Sequence, residues 1–256
     1  MKTLARFYLL ALLAFLYMPI LVMIAMGFNE SQLYELPFHF STRWYQSLAD
    51  NTQLINSGVN SVWIALVTSI VATSLGTMAS VALARRTFRG KSLLQLLLLP
   101  PIAIPWLITG TAMLVFFFYS GIGRGLHALL IGHVALAIPY VVLVVGTGFQ
   151  TVRSDLEEAA MSLGSTPIHA FSTITLPLLF PSILGAALFA FAVSLDQFVV
   201  SYFLATPGVT TLPVEIYSAI RKGFTPEINA ISTIIILVSM GLMLIFARLY
   251  RFGGER

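Results

Sequence analysis

One acid, Asp196, lies inside an apolar stretch long enough to cross a bilayer, with the amide Gln197 beside it. A carboxylate facing lipid at a helix centre costs roughly 2.5–3.5 kcal/mol on insertion scales, so an intramembrane acid faces a bundle interior. There it either lines a path and draws in cations, or anchors a neighbouring helix by a hydrogen bond or by pairing with Arg221 or Lys222. Other chemistry-bearing groups form weaker patterns. Arg89-Gly90-Lys91-Ser92 has the end of a phosphate-binding loop, but the position five residues before Gly90 is Arg85 where that loop needs glycine. His127 and His133 stand six apart, whereas two ligands on one helix face need a spacing of about four. Glu30, Glu35 and Asp50 form no compact set, and no Ser/His/Asp arrangement stands out. The sequence therefore offers no catalytic residue, metal ligand set or cofactor site.

The elements that must position these residues are set by lipid. The 256 residues are 58% hydrophobic and 9% charged, with mean hydropathy +0.91. A soluble domain averages roughly 25% charged residues and could not hide this much apolar surface. There are no cysteines, so there is neither a disulfide framework nor a thiolate site. The hydropathy predicts six spans, over residues 7–27, 57–84, 92–119, 126–148, 179–203 and 228–248. Backbone polar groups in lipid must be satisfied within their own segment, so these are helices and the fold is an all-α integral membrane protein. Lys2 and Arg6 before the run Phe7–Gly27 imitate a secretory leader, but a 21-residue run has the length of a span and predicts an uncleaved first helix.

Ten Lys and Arg residues lie on one side of this topology and four on the other. The positive-inside rule then puts both termini and the polar segment 149–178 in the cytoplasm. The net charge of +4 is thus a topology signal, not a nucleic-acid footprint. The second span carries small residues at helical spacing, Ala65, Ser69, Thr73 and Thr77 beside Ala72, Gly76, Ser80 and Ala84. Such stripes let backbones approach closely, either within the bundle or at a subunit interface. The third span holds Pro100, Pro101 and Pro105, followed by Trp106 and Thr109-Gly110-Thr111. A break here is either a structural kink or a cavity-lining irregularity, which is tolerated where protein or a water-filled path surrounds it.

The cytoplasmic segment reads Glu158-Ala159-Ala160, three residues, Gly164, nine residues, then Ile174-x-Leu176-Pro177. It resembles, position for position, the EAA loop of type I binding-protein-dependent ABC importer permeases. Phe28-Asn29, Trp44-Tyr45, Phe88-Arg89-Gly90-Lys91, Ser194-Leu195-Asp196, Thr211-Leu212-Pro213 and Pro226-Glu227-Ile228-Asn229-Ala230 extend the likeness over nearly the whole chain, toward the second permease subunit of spermidine/putrescine importers.

That resemblance implies a single permease domain over 1–256, in the multi-pass inner membrane of a bacterium, N-in and C-in. It implies a coupling helix at Glu158, Ala159, Ala160 and Gly164, with Ile174, Leu176 and Pro177 behind it, docked on an ABC ATPase subunit present in two copies. ATP and magnesium would be held by that ATPase. Further implied partners are a homologous second permease, giving a heterodimer, and an extracytoplasmic substrate-binding protein. Gly164 is predicted to end the short helix, and Pro167 to open the next. The implied translocation path takes in Pro105, Trp106, Thr109, Asp196 and Gln197. Trp106 and Gln197 stand where polyamine permeases carry acids, so this path has lost two countercharges. The substrate class implied is a polyamine-like compound or another amine, opines and amino-acid derivatives included. A rival class, an ion-coupled carrier or channel using Asp196 without an ATPase, leaves the EAA segment unexplained.

Overall fold

The structure, a computed structural model, describes residues 2–31, 35–98, 100–153, 155–223 and 226–253, with backbone only for residues 2, 3, 5 and 242–253. The described residues are mostly helical, and their only extended pairings are two isolated bridges, Asn29 with Phe40 and Thr206 with Val209. They group into two compact units, one of residues 1–56 and 215–256, the other of residues 57–214.

Within the first unit, α1 (Lys2–Gly27) and α2 (Arg43–Asp50) both pack on α13 (Glu227–Gly253). Gly27 lies against the start of α13, where a Cβ would stand 3.4 Å from the backbone of Asn229 and 3.1 Å from the Tyr45 hydroxyl. Trp44 is buried, and its indole N–H donates to the Asn29 carbonyl at 2.7 Å. Glu227 at the start of α13 accepts from Ser47 and, at 3.1 Å, from Asn51, which fastens the C-terminal half of α2.

The second unit is organised around α7 (Leu126–Thr151), whose apolar stretch is the most buried of the candidate spans, and which packs against α3 (Thr52–Arg85) and α10 (Leu176–Leu195). Helix α3 inverts the pattern of a soluble helix. Its buried face is mostly small residues, among them Ala65, Ser69, Ala72, Thr73, Gly76 and Ser80, with Leu54 and Ile64 the large exceptions, while Val62, Trp63, Leu66, Ile70 and Met78 are exposed. Where lipid is the solvent, large apolar residues have no reason to turn inward, and small ones let helices touch. Ser69 donates to the Ala187 carbonyl at 2.6 Å and Ser80 to the Val142 carbonyl at 3.2 Å. A Cβ on Gly76 would stand 2.6 Å from a methyl of Val141, and one on Gly148 would stand 2.4 Å from the Ser182 hydroxyl.

Among the described residues, four helices are long and apolar enough to cross a membrane: Arg6–Gly27, Thr52–Arg85, Leu126–Thr151 and Pro167–Leu195. The expected third span is not one helix. It is divided into α4 (Lys91–Leu97), α5 (Pro100–Ala103) and α6 (Trp106–Tyr119), with a bend of 109° between the arms. Pro105 has extended backbone, φ −54° and ψ 131°, and caps α6. Its ring disfavours a helical Ile104, so the earlier helix must stop there. Counting this bent pair as one crossing gives five spans. Helix α13 covers the backbone of the sixth predicted span, but the side chains of 242–248 lie outside the described residues.

The fifth span also differs from its predicted bounds of 179–203. It starts at Pro167 and ends at Leu195, and a break over Asp196–Phe198 precedes α11 (Val199–Leu204). Ile174, Leu176 and Pro177 are therefore not in a loop. They belong to a continuous helical run formed by α9 (Pro167–Ala170), a π-turn (Phe171–Thr175) and α10. A proline ring clashes with the carbonyl four residues back in an ordinary α-helix. The wider π-turn ahead of Pro177 accommodates it, with the Leu176 N–H donating to the Phe171 carbonyl. A hydropathy window registers only the polarity of Ser172, Thr173 and Thr175, so it places the span too late.

Candidate functional site

Two interruptions of the helical framework gather the polar side chains of the second unit. The first follows α7. Exposed Arg153 pairs with Asp155, and this hydrogen bond holds the Asp155 carboxyl below its ordinary range. Helix α8 (Asp155–Ser162) then opens with Asp155, Glu157 and Glu158 in its first turn, where negative charge suits the helix dipole. Its end is closed by two backbone hydrogen bonds. Gly164 N–H donates to the Met161 carbonyl and Ser165 N–H to the Ala160 carbonyl, both at 3.0 Å. This closure needs a left-handed residue, and Gly164 has φ +94°. Thr166 then accepts from the His169 N–H at 3.3 Å, with Pro167 in the first turn of α9.

The geometry separates two adjacent glutamates. Glu158 and Ala159 face outward and Ala160 is half-buried. The turn after them projects Leu163, 91% exposed, and Ile168, 82% exposed. Glu157 turns inward and is buried, because consecutive helical residues point about 100° apart. Both its carboxylate oxygens accept from the Arg85 guanidinium at the end of α3, one of them at 2.6 Å. The Thr175 hydroxyl also donates to Glu157, Arg85 reaches Thr175 at 3.3 Å, and the guanidinium lies 5.9 Å from the Phe149 ring centre. Sequence reasoning missed this group. Arg85 counted there as a topology charge and as the misfit of a phosphate-binding loop, and Glu157 and Thr175 occupy positions the EAA spacing does not fix. Ile174 is half-buried, while Leu176 and Pro177 are exposed on the helix that continues from this point.

The second interruption lies between α10 and α11. Asp196, expected mid-helix, sits at the C-cap of α10 and is exposed on this chain; it enters no ion pair among the described residues. Gln197 is buried, its Oε1 accepts from the Val200 N–H at 3.5 Å, and its Nε2 has no partner. Behind the break, buried His133 of α7 bridges Ser194 at 2.8 Å and Ser201 at 2.9 Å, one hydroxyl from each side. His127 contacts the Ile122 carbonyl instead, at 2.6 Å, so the two histidines serve separate purposes. Helix α6 packs on α11, with Gly110 against Phe203. This brings the helix of Trp106 and Thr109 beside the helix that follows Asp196 and Gln197. Trp106 is half-buried, Pro105 exposed, and the buried Thr109 hydroxyl has no partner.

Comparison with known proteins comes to one result. Residues 72–254 match the family described as "Binding-protein-dependent transport system inner membrane component". The putrescine transport system permease protein PotI of Escherichia coli is 37% identical over 229 residues, 87% of this chain and 82% of the relative. The spermidine/putrescine transport system permease protein PotC of Haemophilus influenzae is 34% identical over 91% of this chain and 90% of the relative. Among solved structures, a chain of a bacterial ABC transporter involved in import of the acidic polysaccharide alginate superposes with TM-score 0.73 at 13% identity, covering 98% of this chain and 95% of that one. A chain of the MetNI methionine ABC transporter, in inward-facing form, superposes with TM-score 0.61 at 17% identity, covering 79% and 99%.

Proposed function

The chain belongs to the family of binding-protein-dependent transport system inner membrane components, and from that premise we propose that it is one permease subunit of an ATP-driven importer for a small amine-bearing solute. It performs no chemistry of its own. It forms half of a translocation path with a homologous second permease, in a bacterial inner membrane, with six spans in one domain and both termini in the cytoplasm. Two copies of an ABC ATPase hold ATP and magnesium below it, and a substrate-binding protein delivers solute from outside.

The observation that carries this reading is the geometry of α8. A helix that served only the fold would bury its apolar neighbours. Here Glu158, Leu163 and Ile168 are exposed, while the chain around them is held by a complete capping motif. That arrangement suits a rigid knob seated in a partner. Gly164→Trp is the test, since φ +94° is costly for any side chain other than glycine. In the complex reconstituted with ATPase and binding protein, this change should separate ATP hydrolysis from uptake. Unchanged uptake and unchanged hydrolysis would refute the reading.

The substrate class rests on the polyamine relatives and on Trp106 and Asp196. An indole face attracts a cation with about 0.5–2 kcal/mol, less than a carboxylate supplies at the same place. We therefore assign a solute of lower positive charge than spermidine. Uptake of putrescine and spermidine by wild type, Trp106→Ala and Trp106→Glu measures this, with Trp106→Glu shifting preference toward the more cationic probe. Wild-type preference for spermidine, unaffected by Trp106→Ala, would contradict it.

A further inference from the structure

Two residues that the EAA spacing does not fix meet beside α8. Glu157 directly precedes Glu158, and Thr175 is the residue between Ile174 and Leu176. These two side chains meet each other and Arg85, so three elements distant in sequence join at one carboxylate. Arg85 ends α3, Glu157 lies in the first turn of α8, and Thr175 closes the π-turn that leads into α10. The carboxylate is 10% exposed and the guanidinium 30% exposed. A two-pronged arginine–carboxylate pair fixes orientation as well as distance, which lysine cannot do.

We propose that Arg85 is a positioning residue that makes α8 move as one body with α3 and α10. This rests on the reading of α8 as the ATPase-docking helix and extends it. Exposed Glu158, Leu163 and Ile168 receive the push of the ATPase, and buried Glu157 passes it inward. Helix α3 is the element best placed to distribute it, because Ser69 and Ser80 tie its small-residue face to α10 and α7. The two adjacent glutamates thus divide the work, one facing the partner and one facing the bundle. The π-turn serves the same end, since it sets Thr175 against Glu157 immediately ahead of Pro177. Without the pair, α8 keeps only indirect links to α3, through Thr175 and α10 and through α7, and a push on α8 dissipates there.

The chain has no cysteines, so a spin-label pair at Ala84→Cys and Ser162→Cys reports the α3–α8 distance without background. The measurement uses the full complex with its ATPase and binding protein, ATP-free and vanadate-trapped. The wild type should give one narrow distance, the same in both states. Arg85→Ala and Glu157→Gln should match it without ATP and diverge by about 5 Å, roughly one helical turn, on trapping. The exchanged pair Arg85→Glu with Glu157→Arg should return the distance toward wild type. Should Arg85→Ala not assemble, Arg85→Lys keeps the charge with a single prong and should show a smaller divergence. Wild-type distances in both states for these variants would overturn the proposal. Equal broadening in both states would make the pair a folding staple and would overturn it as well. The docking reading fails separately: the Ser162 label would then keep its mobility when the ATPase is added.

Discussion

The α8 turn and the α10–α11 break are both helix interruptions clasped by three side chains, yet they are clasped in opposite ways. At α8 the clasp is ionic, Arg85 with Glu157 and Thr175, and lies against exposed residues. At the break it is neutral, His133 between Ser194 and Ser201, and wholly buried. The difference follows the solvent. Near water a charged pair can be kept with a modest desolvation penalty and gives a directional grip. Deep in the bundle a charge pair is costly, and a neutral imidazole with one donor and one acceptor joins two hydroxyls without net charge. The ionic clasp suits a part that must transmit force, and the neutral one suits a bend that must hold its shape.

Removing one member of the ionic clasp should have the largest effect on stability. Glu157→Ala leaves Arg85 without its carboxylate, and fully buried cases cost about 3–5 kcal/mol. The partial exposure of Arg85 reduces this to about 1–3 kcal/mol, read as a lower midpoint of thermal unfolding in detergent. A midpoint equal to wild type would mean that the pair carries no net stability. His133→Leu comes next. It removes two hydrogen bonds, but Ser201 already donates to the Gln197 carbonyl at 2.6 Å and is not stranded. Intramembrane hydrogen bonds average about 0.6 kcal/mol each, so the expected loss is about 1–2 kcal/mol. A larger loss than that of Glu157→Ala would reverse the ranking and break the comparison.

Helix α8 was legible because Gly164 and Pro167 are local signals, and backbone conformation near a glycine or proline depends little on the rest of the fold. Its clasp was not legible, since Arg85 is 72 residues from Glu157 and only the packing of α3 against α7 brings them together. The membrane character and most span positions were legible from hydropathy. The break at Asp196 was not, because a window average treats Asp196 and Gln197 as two polar residues in a long apolar run. Whether the chain bends there depends on His133, contributed by another helix. The third span lay between these cases: its prolines announced a break but not the 109° bend.

Two smaller effects sharpen the contrast between fixed and adjustable parts of the α8 turn. Gly164→Ala should cost about 1 kcal/mol, because an L-residue pays roughly 1–2 kcal/mol in left-handed backbone. Gly164→Asn should recover part of it, since asparagine visits that conformation more readily. Equal midpoints for wild type and Gly164→Ala would show that the cap is not strained by a side chain. The smallest effect belongs to Arg153 and Asp155. The depressed Asp155 carboxyl contributes stability that is present above the ordinary range near pH 4 and is lost as pH falls through its lowered value. Asp155→Asn should therefore alter amide exchange in the first turn of α8 slightly at pH 7, and the difference should fade as pH falls below the ordinary carboxylate range. Because the pair is fully exposed, high salt should erase the difference.

The central claim, that α8 presents a knob to a separate ATPase, is tested most directly at Leu163. A photo-cross-linking amino acid placed there, in the complex purified with its ATPase, should capture the ATPase subunit in high yield, with less capture from the half-buried position Ala160. Capture of lipid alone, or equal capture of the ATPase from Leu163 and from the distant exposed residue Leu107, would contradict the account.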